Sequence, residues 1–315
     1  MIGRSPRVSR SRALAHSHCV VQEETISCVE FRKEGLPMDN LKKAQEMNRR
    51  IMQKLHSVCK KYNITYFYDS GSLIGAVRHK SFIPWDDDID VAFTREEFNK
   101  LLAVPKEEWG EDFELISGRE LVPEGFLDFV TRLVYLKESV PLKSYEKAGG
   151  KCVEKYLNKV GVDCFIMDNA YDSRIRQKLL VLRLTAIYGQ AMGHRPFIDY
   201  SEYGAAQKIV IFILSKIGKM RSLDKIRAQY DRVSRSVKKD TNHLYYSNYP
   251  IHLVGILLEK GWYSNTVPVQ VDEDYFDAPV GYHEALTAQY GDYMQLPPES
   301  SRTPQHVIME SEEKN

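Results

Sequence analysis

The sequence predicts an α+β protein: a sheet flanked by helices, with a further helical segment added to it. Three observations carry this. Between residues 38 and 170, short β-branched and aromatic runs alternate with amphipathic repeats. From 171 to 239 the pattern is helical and rich in bases, and from 240 to 315 strand and helix signals resume. The 315 residues are 43% hydrophobic and 11% aromatic, enough for a buried core, which excludes wholesale disorder.

The elements follow in order. Residues 1–37 lack periodicity and end in Gly35 and Pro37, so they read as a disordered extension. Four early arginines faintly suggest a targeting segment, but no apolar signal core accompanies them. Leu41, Ala44, Met47, Ile51, Leu55 and Val58 recur at helical spacing, with Asp39 or Asn40 as N-cap. Ile64–Tyr68 reads as a strand, followed by Gly71-Ser72 and a short helix from Leu73 to Arg78. Asp86–Phe93 nearly alternates polar and apolar residues and reads as a second strand, and Thr94 with Glu97 forms a capping box for the next helix. Phe113–Ile116, Phe129–Leu136 and Gly161–Met167 are further strands, so 38–170 reads as the core unit. Residues 171–239 read as helical throughout, with 15 Lys and Arg against five Asp and Glu. In 240–315, Val267–Val271 reads as a strand and Tyr282–Tyr290 as a helix closed by Gly291, and this part is expected to complete the core.

Composition narrows the function classes. A net charge of +1 argues against a nucleic-acid-binding surface. Five scattered cysteines without a C-x-x-C pair fit neither a disulfide scaffold nor a zinc site and suit a reducing compartment. The most apolar run, Ile209–Leu214, is far short of the roughly 20 residues of a membrane span. The expectation is a cytoplasmic protein, with peripheral membrane contact through its basic helices.

The acids Asp86, Asp87, Asp88 and Asp90 are the most informative residues. On a strand, Asp86, Asp88 and Asp90 share one face while Ile89 and Val91 point to the core. Three like charges on one face repel unless a cation neutralises them, and paired carboxylates at this spacing suit one or two Mg²⁺ ions, or Mn²⁺. An EF-hand spacing ending at Glu97 is also present, but Val91 stands where that loop needs glycine. Strand, Gly71-Ser72, short helix and Asp-x-Asp is the order in which nucleotidyltransferase-like folds hold nucleotide phosphates. Gly71 permits close approach, and Ser72 offers a hydroxyl and oriented N–H groups. Arg78, His79 and Lys80 are candidates to neutralise a diphosphate, and Trp85 to stack on a base or a quaternary cation.

The stretch YFYDSGSLIGAVRHKSFIPWDDDIDVAF, Tyr66–Phe93, resembles the signature of the LicD family of cholinephosphotransferases, whose relatives include fukutin-type ribitol-phosphate transferases. The similarity returns at VDCFIMD (162–168) and at YGDYMQLPP (290–298), with Arg302 and His306 downstream. The Cys164–Met167 run departs from the family's usual third-acid strand, and no N-terminal anchor of the membrane-bound relatives is evident. The resemblance implies a nucleotidyltransferase-like mixed sheet, a CDP-activated donor, a glycan acceptor and release of CMP. It also implies that Asp88 and Asp90 are the metal-binding pair and Asp163 the third acid, as ligand or base. Arg302 is the best phosphate partner of a closing group with Tyr290, Tyr293 and His306, and Asp168 reads as an N-cap for the helix that follows. A nucleotidyltransferase releasing pyrophosphate and an inactive glycan- or nucleotide-binding homologue are the alternatives. The donor alcohol and the acceptor sugar stay open.

Overall fold

The computed structural model describes residues 39–143, 152–201, 203–248 and 254–308; the extension read at 1–37 lies outside them. Helix α1 (Asp39–Lys61) buries the expected stripe of Ala44, Met47, Ile51, Leu55 and Val58. Asp39 and Asn40 are both inside the helix, and the Asn40 amide donates to the carbonyl of Ile308. Strand β1 is only Phe67–Tyr68, because Asp69 already caps helix α2 (Ser70–His79), its side chain accepting from the Ser70 N–H at 2.8 Å. Strand β2 (Ile89–Thr94) starts later than the alternation suggests. Pro84 sits in a turn in which the Asp86 N–H donates to the Ile83 carbonyl at 2.9 Å, so Asp86, Asp87 and Asp88 belong to the approach to the strand.

Helix α3 (Arg95–Leu102) has half of the expected capping box. The Thr94 hydroxyl accepts from the Glu97 N–H, but the Glu97 carboxylate accepts from the Thr65 N–H at 2.7 Å instead of closing the box. After it come β3 (Phe113–Ser117), the single turn α4 (Gly118–Leu121), β4 (Thr131–Tyr135) and β5 (Gly161–Asn169). The basic segment supplies α5 (Arg174–Ala191), α6 (Ala205–Lys219) and α7 (Leu223–Ser234). It is not helical throughout: the chain between α5 and α6 is irregular around Pro196, which cannot donate to a helical ladder. Asp168 is no N-cap either. It ends β5 as a buried carboxylate held by both arms of the Arg95 guanidinium, at 2.9 and 2.5 Å.

Strands β6 (His243–Tyr246) and β7 (Leu258–Glu259) follow, then the hairpin β8 (Thr266–Val271) and β9 (Asp274–Pro279), and finally α8 (Tyr282–Tyr290), whose bounds match the sequence reading. The main sheet runs β1-β2-β5-β4-β3, with β6 on β5 and β7 on β6. Only the β2–β5 pair is parallel, which makes the sheet mixed, as expected. Ile89, Val91, Phe93, Val162, Cys164 and Ile166 face the α1 side and join its core. Ala92, Phe165 and Met167 pack into a separate cluster with Tyr246 and Tyr263, as period-two alternation requires. Among the described residues, no helix is long and apolar enough to cross a membrane.

Strand β5 serves two partners in succession: β4 up to Cys164 and β6 from Met167. Between them its backbone is satisfied by Asn248, whose carbonyl oxygen accepts from the Ile166 N–H at 2.7 Å and whose amide donates to the Cys164 carbonyl at 3.1 Å. Asn248→Ala leaves both groups buried and unpaired, and is expected to cost about 2 kcal/mol; urea denaturation of the two proteins checks it, and a loss below about 0.5 kcal/mol would refute the role.

Candidate acidic site

Two contacts join the two halves of the motif. The Asp90 N–H donates to the Ser72 hydroxyl at 2.9 Å, and the Asp69 N–H donates to the Asp90 carbonyl at 3.1 Å. A Cβ on Gly71 would stand 3.3 Å from an Asp86 carboxylate oxygen, so the missing side chain leaves room for that acid. Ser72 is buried, and its oxygen serves this internal bond.

Parallel pairing places Asp90 directly opposite Asp163, so both project from the same face on adjacent strands. Burial raises Asp86 well above the usual carboxylate range, and the nearby carboxylates Asp88 and Asp87 raise it further. Burial, with the charges of Asp88, Asp163, Asp86 and Asp69 added, pushes Asp90 well above the usual carboxylate range. Burial also pushes Asp163 up to about 6, against the pull of Arg132. Arg132 on β4 bonds Asp163 at 2.8 Å and Asp128 at 2.8 Å, bridging the two acids. Burial works to raise Asp88, but the hydrogen bond and charge of His306 hold it below the ordinary range. That bond, at 3.1 Å, raises His306 to about 9, so the imidazole is a cation at neutral pH.

His306 belongs to a C-terminal strap. The His306 and Val307 N–H groups donate to one oxygen of buried Asp87, at 2.9 and 2.6 Å. Val307 bridges Leu142, and the Ile308 N–H donates to the Pro141 carbonyl. The other Asp87 oxygen is buried without a hydrogen-bond partner. Among the described residues, the ligand atoms of Asp87, Asp88 and His306 lie within 4.8 Å of one another. Carboxylates crowded at this density, one with an orphaned oxygen, suit a hard divalent cation such as Mg²⁺ or Mn²⁺.

The remaining candidates form a second group. Arg78 and His79 end α2, roughly 15 Å along the helix from Ser70, where the Arg78 guanidinium donates to the Tyr293 carbonyl at 3.1 Å and to the His79 ring at 2.9 Å. The Arg302 guanidinium lies over the Trp85 ring at 5.5 Å, and His79 meets the same ring edge-on. Burial lowers Arg78, and so does the charge of Arg302 nearby, so two cations face one another here. Lys80 is exposed in a left-handed turn at the end of α2, and its carbonyl accepts from the Asp272 N–H. Arg78, His79 and Lys80 thus gather at the far end of the helix from Gly71 and Ser72.

A cavity of about 350 Å³ opens on Asp88, Asp163 and His306, with Arg132, Lys159 and Arg195 among its walls. A larger one, about 590 Å³ beside β3 and Trp109, contains none of these acids. Sequence reasoning missed Arg132, Asp128 and Asp69. Asp69 stood inside the recognised stretch, one residue before Ser70-Gly71, but nothing local marks Asp128 or Arg132.

Asp69 is fully buried; burial pushes it up to about 6, against the hydrogen bonds of Tyr246 and Ser70. A raised carboxyl adds stability in full below the unfolded value of 3.8 and loses it as pH rises through about 6. Asp69→Asn removes this titration, and its amide can donate to the Tyr246 hydroxyl. The variant is therefore expected to gain about 3 kcal/mol relative to wild type between about pH 4 and pH 8. Parallel unfolding profiles of the two proteins over that range would show the role to be absent.

The fold and the acid-lined edge between β2 and β5 are those of a nucleotidyltransferase-like domain. The family model of the LicD/FKTN/FKRP nucleotidyltransferase domain matches residues 63–125. The chain is 26% identical over 275 residues to the lipopolysaccharide cholinephosphotransferase LicD of Haemophilus influenzae, covering 85% of this chain and 96% of that protein. It is 45% identical over 47 residues to protein RP689 of Rickettsia prowazekii, 15% of this chain and 18% of that one, and over 47 residues to RT0683 of Rickettsia typhi, 15% of each. The chain is thus similar to LicD proteins, in the domain model over residues 63–125 and in one relative over most of its length.

Proposed function

We propose that the chain is a metal-dependent phosphotransferase. It moves a phospho-alcohol, phosphocholine or a close analogue, from a CDP-activated donor to a hydroxyl of a cell-surface or lipid-linked glycan, and releases CMP. The observation that carries this reading is the parallel register that sets Asp90 beside Asp163, with Asp88 at the mouth of a cavity whose walls carry cations. The relative in Haemophilus influenzae, named for the same transfer to lipopolysaccharide, supports it.

Asp88, Asp90 and Asp163 would hold Mg²⁺ or Mn²⁺, with the Asp87 carboxylate close to Asp88. When bound, the ion supplies charge neutralisation at the donor diphosphate. The chain's own residues position and hold. Arg132 fixes the Asp163 carboxylate at the cavity wall, in reach of an acceptor hydroxyl whose proton it can take. Gly71 and Ser72 bring the first turn of α2 against the acids, so its N-terminal dipole faces a donor phosphate. Arg78 and Arg302 offer paired guanidinium groups to the donor's anionic part, with His79 beside them, and Trp85 stacks on its base or its quaternary cation. Lys80, at the end of α2, is the outermost cation of this group. Such a protein works in the cytoplasm, peripheral to the membrane that carries its acceptor, and needs no nucleic acid.

The test uses purified protein with Mg²⁺, a panel of CDP-choline, CDP-ribitol, CDP-glycerol and CTP, and a glycan extract, followed by mass spectrometry of the nucleotides. Mg²⁺-dependent CMP release names the donor. Pyrophosphate from CTP would replace this reading with nucleotidyl transfer, and nucleotide binding without turnover would replace it with a binding role.

A further inference from the structure

Helix α6 turns its apolar side outward. Ile209, Val210, Phe212 and Ile213 are each more than half exposed, and Met220 just beyond the helix is 88% exposed. The inward side is Ile211, Leu214, Ser215 and Gly218, with Leu214 packed against Gly189 of α5. A Cβ on Gly218 would lie 1.8 Å from the Gln190 carbonyl of α5, and one on Gly193 would lie 2.2 Å from the Ser215 carbonyl. With Gly218 seated this closely on the Gln190 backbone, a rotation that buried Ile213 or Ile217 would drive a larger side chain into α5. On α5, Ile175, Leu179 and Leu182, at spacings of four and three, form a second exposed apolar row. Contiguous apolar surface of this kind marks an interaction site.

Its border is basic. Neither α5 nor α6 contains an acid; Lys208, Lys216 and Lys219 line one edge of the outward face of α6. Directly after Met220, Arg221 joins Arg183, Lys225 and Arg232 in a cleft of about 320 Å³. An apolar face with a cationic rim complements an anionic bilayer, whose acyl region takes the isoleucines and whose headgroups meet the lysines. A second copy of the chain would instead bring two cationic rims together.

We propose that the α5–α6 face docks the protein on anionic lipid, with Ile209, Ile213, Ile217 and Met220 entering the interface. The inference deepens the proposed function, since it assigns the surface that brings the site to a membrane-borne acceptor.

Flotation of the full chain with mixed phosphatidylglycerol–phosphatidylcholine vesicles tests it, with pure phosphatidylcholine vesicles as comparison. Binding to the mixed vesicles is expected, falling at least about tenfold in Ile213→Glu/Ile217→Glu, whose altered side chains are exposed and whose melting temperature should not move. Lys216→Glu/Lys219→Glu is expected to remove the preference for phosphatidylglycerol and its salt sensitivity. No flotation of the wild type at low salt would overturn the proposal, as would binding indifferent to the glutamates. So would a stable dimer that the glutamates dissociate in the absence of vesicle binding. Turnover of a water-soluble acceptor is measured in parallel. It should survive Ile213→Glu/Ile217→Glu, so loss of docking and failure of the proposed transfer are read separately.

Discussion

Asp90→Asn is expected to lower phosphotransfer by at least about a thousandfold, close to 4 kcal/mol of barrier, and yet to raise the melting temperature measured in EDTA. The two effects share one cause. Asp90 is surrounded by the charges of Asp88, Asp163, Asp86 and Asp69, and is half-buried on the strand face that it shares with Asp163. A carboxylate in that place is costly to the fold and useful only when a cation offsets it. Asparagine keeps the shape, removes the charge and can donate to a neighbouring carboxylate. Its backbone bonds to Ser72 and Asp69 do not depend on the side chain. Activity comes from the nucleotide-release assay and stability from calorimetry with and without Mn²⁺. A variant with more than about a tenth of wild-type activity, or one that melts earlier than wild type in EDTA, would show that Asp90 is not the strained ligand argued for.

Arg132→Met is expected to have the opposite signature, losing stability and activity together. Arg132 bridges Asp128 and Asp163, and all three side chains are largely buried. Removing the cation leaves two carboxylates unpaired, at a cost of about 3–5 kcal/mol, or roughly 6–15 °C in melting temperature for a domain of this size. Arg132→Lys should recover only part of this, since a point charge cannot replace a planar fork that spans two carboxylates. Added Mn²⁺ should narrow the gap if a cation sits beside Asp163. A change in melting temperature within about 1 °C would remove Arg132 from this role.

What the sequence displays and what it hides divide along the range of the interactions involved. Helix α8 was legible to its last residue because Gly291, at φ 68, stops it locally. The stripe of α1 and the inward Ile89 and Val91 were legible because periodicity is local too. The partner strand β9 was not, since Asp and Pro weaken its pattern, and its two-residue turn uses Asp272 at φ 53 where a reader looks for glycine. Within the site, Asp88 and Asp90 stood out as a motif, whereas Arg132 reaches Asp163 only through the β4–β5 register. Asp86–Asp88 were assigned to a strand because their alternation is real; the Pro84 turn overrides it. On α6, the apolar run Ile209–Leu214 says nothing by itself of which side faces out, and the glycine contacts with α5 and the exposures decide it.

The strap has a consequence for how the molecule is made. Asp87 receives its two backbone donors from residues 219 and 220 positions later in the chain. A ribosome delivers the acids well before their partners, and domains fold in the order in which they emerge. Until those partners emerge, the chain therefore carries an acidic centre without its cation His306 and without the backbone that seats Asp87. Chains cut short before Val307 can bring α1, β2 and β5 together, but they cannot finish the centre. The centre is thus finished only once the strap has emerged, more than 200 residues after the acid that it seats.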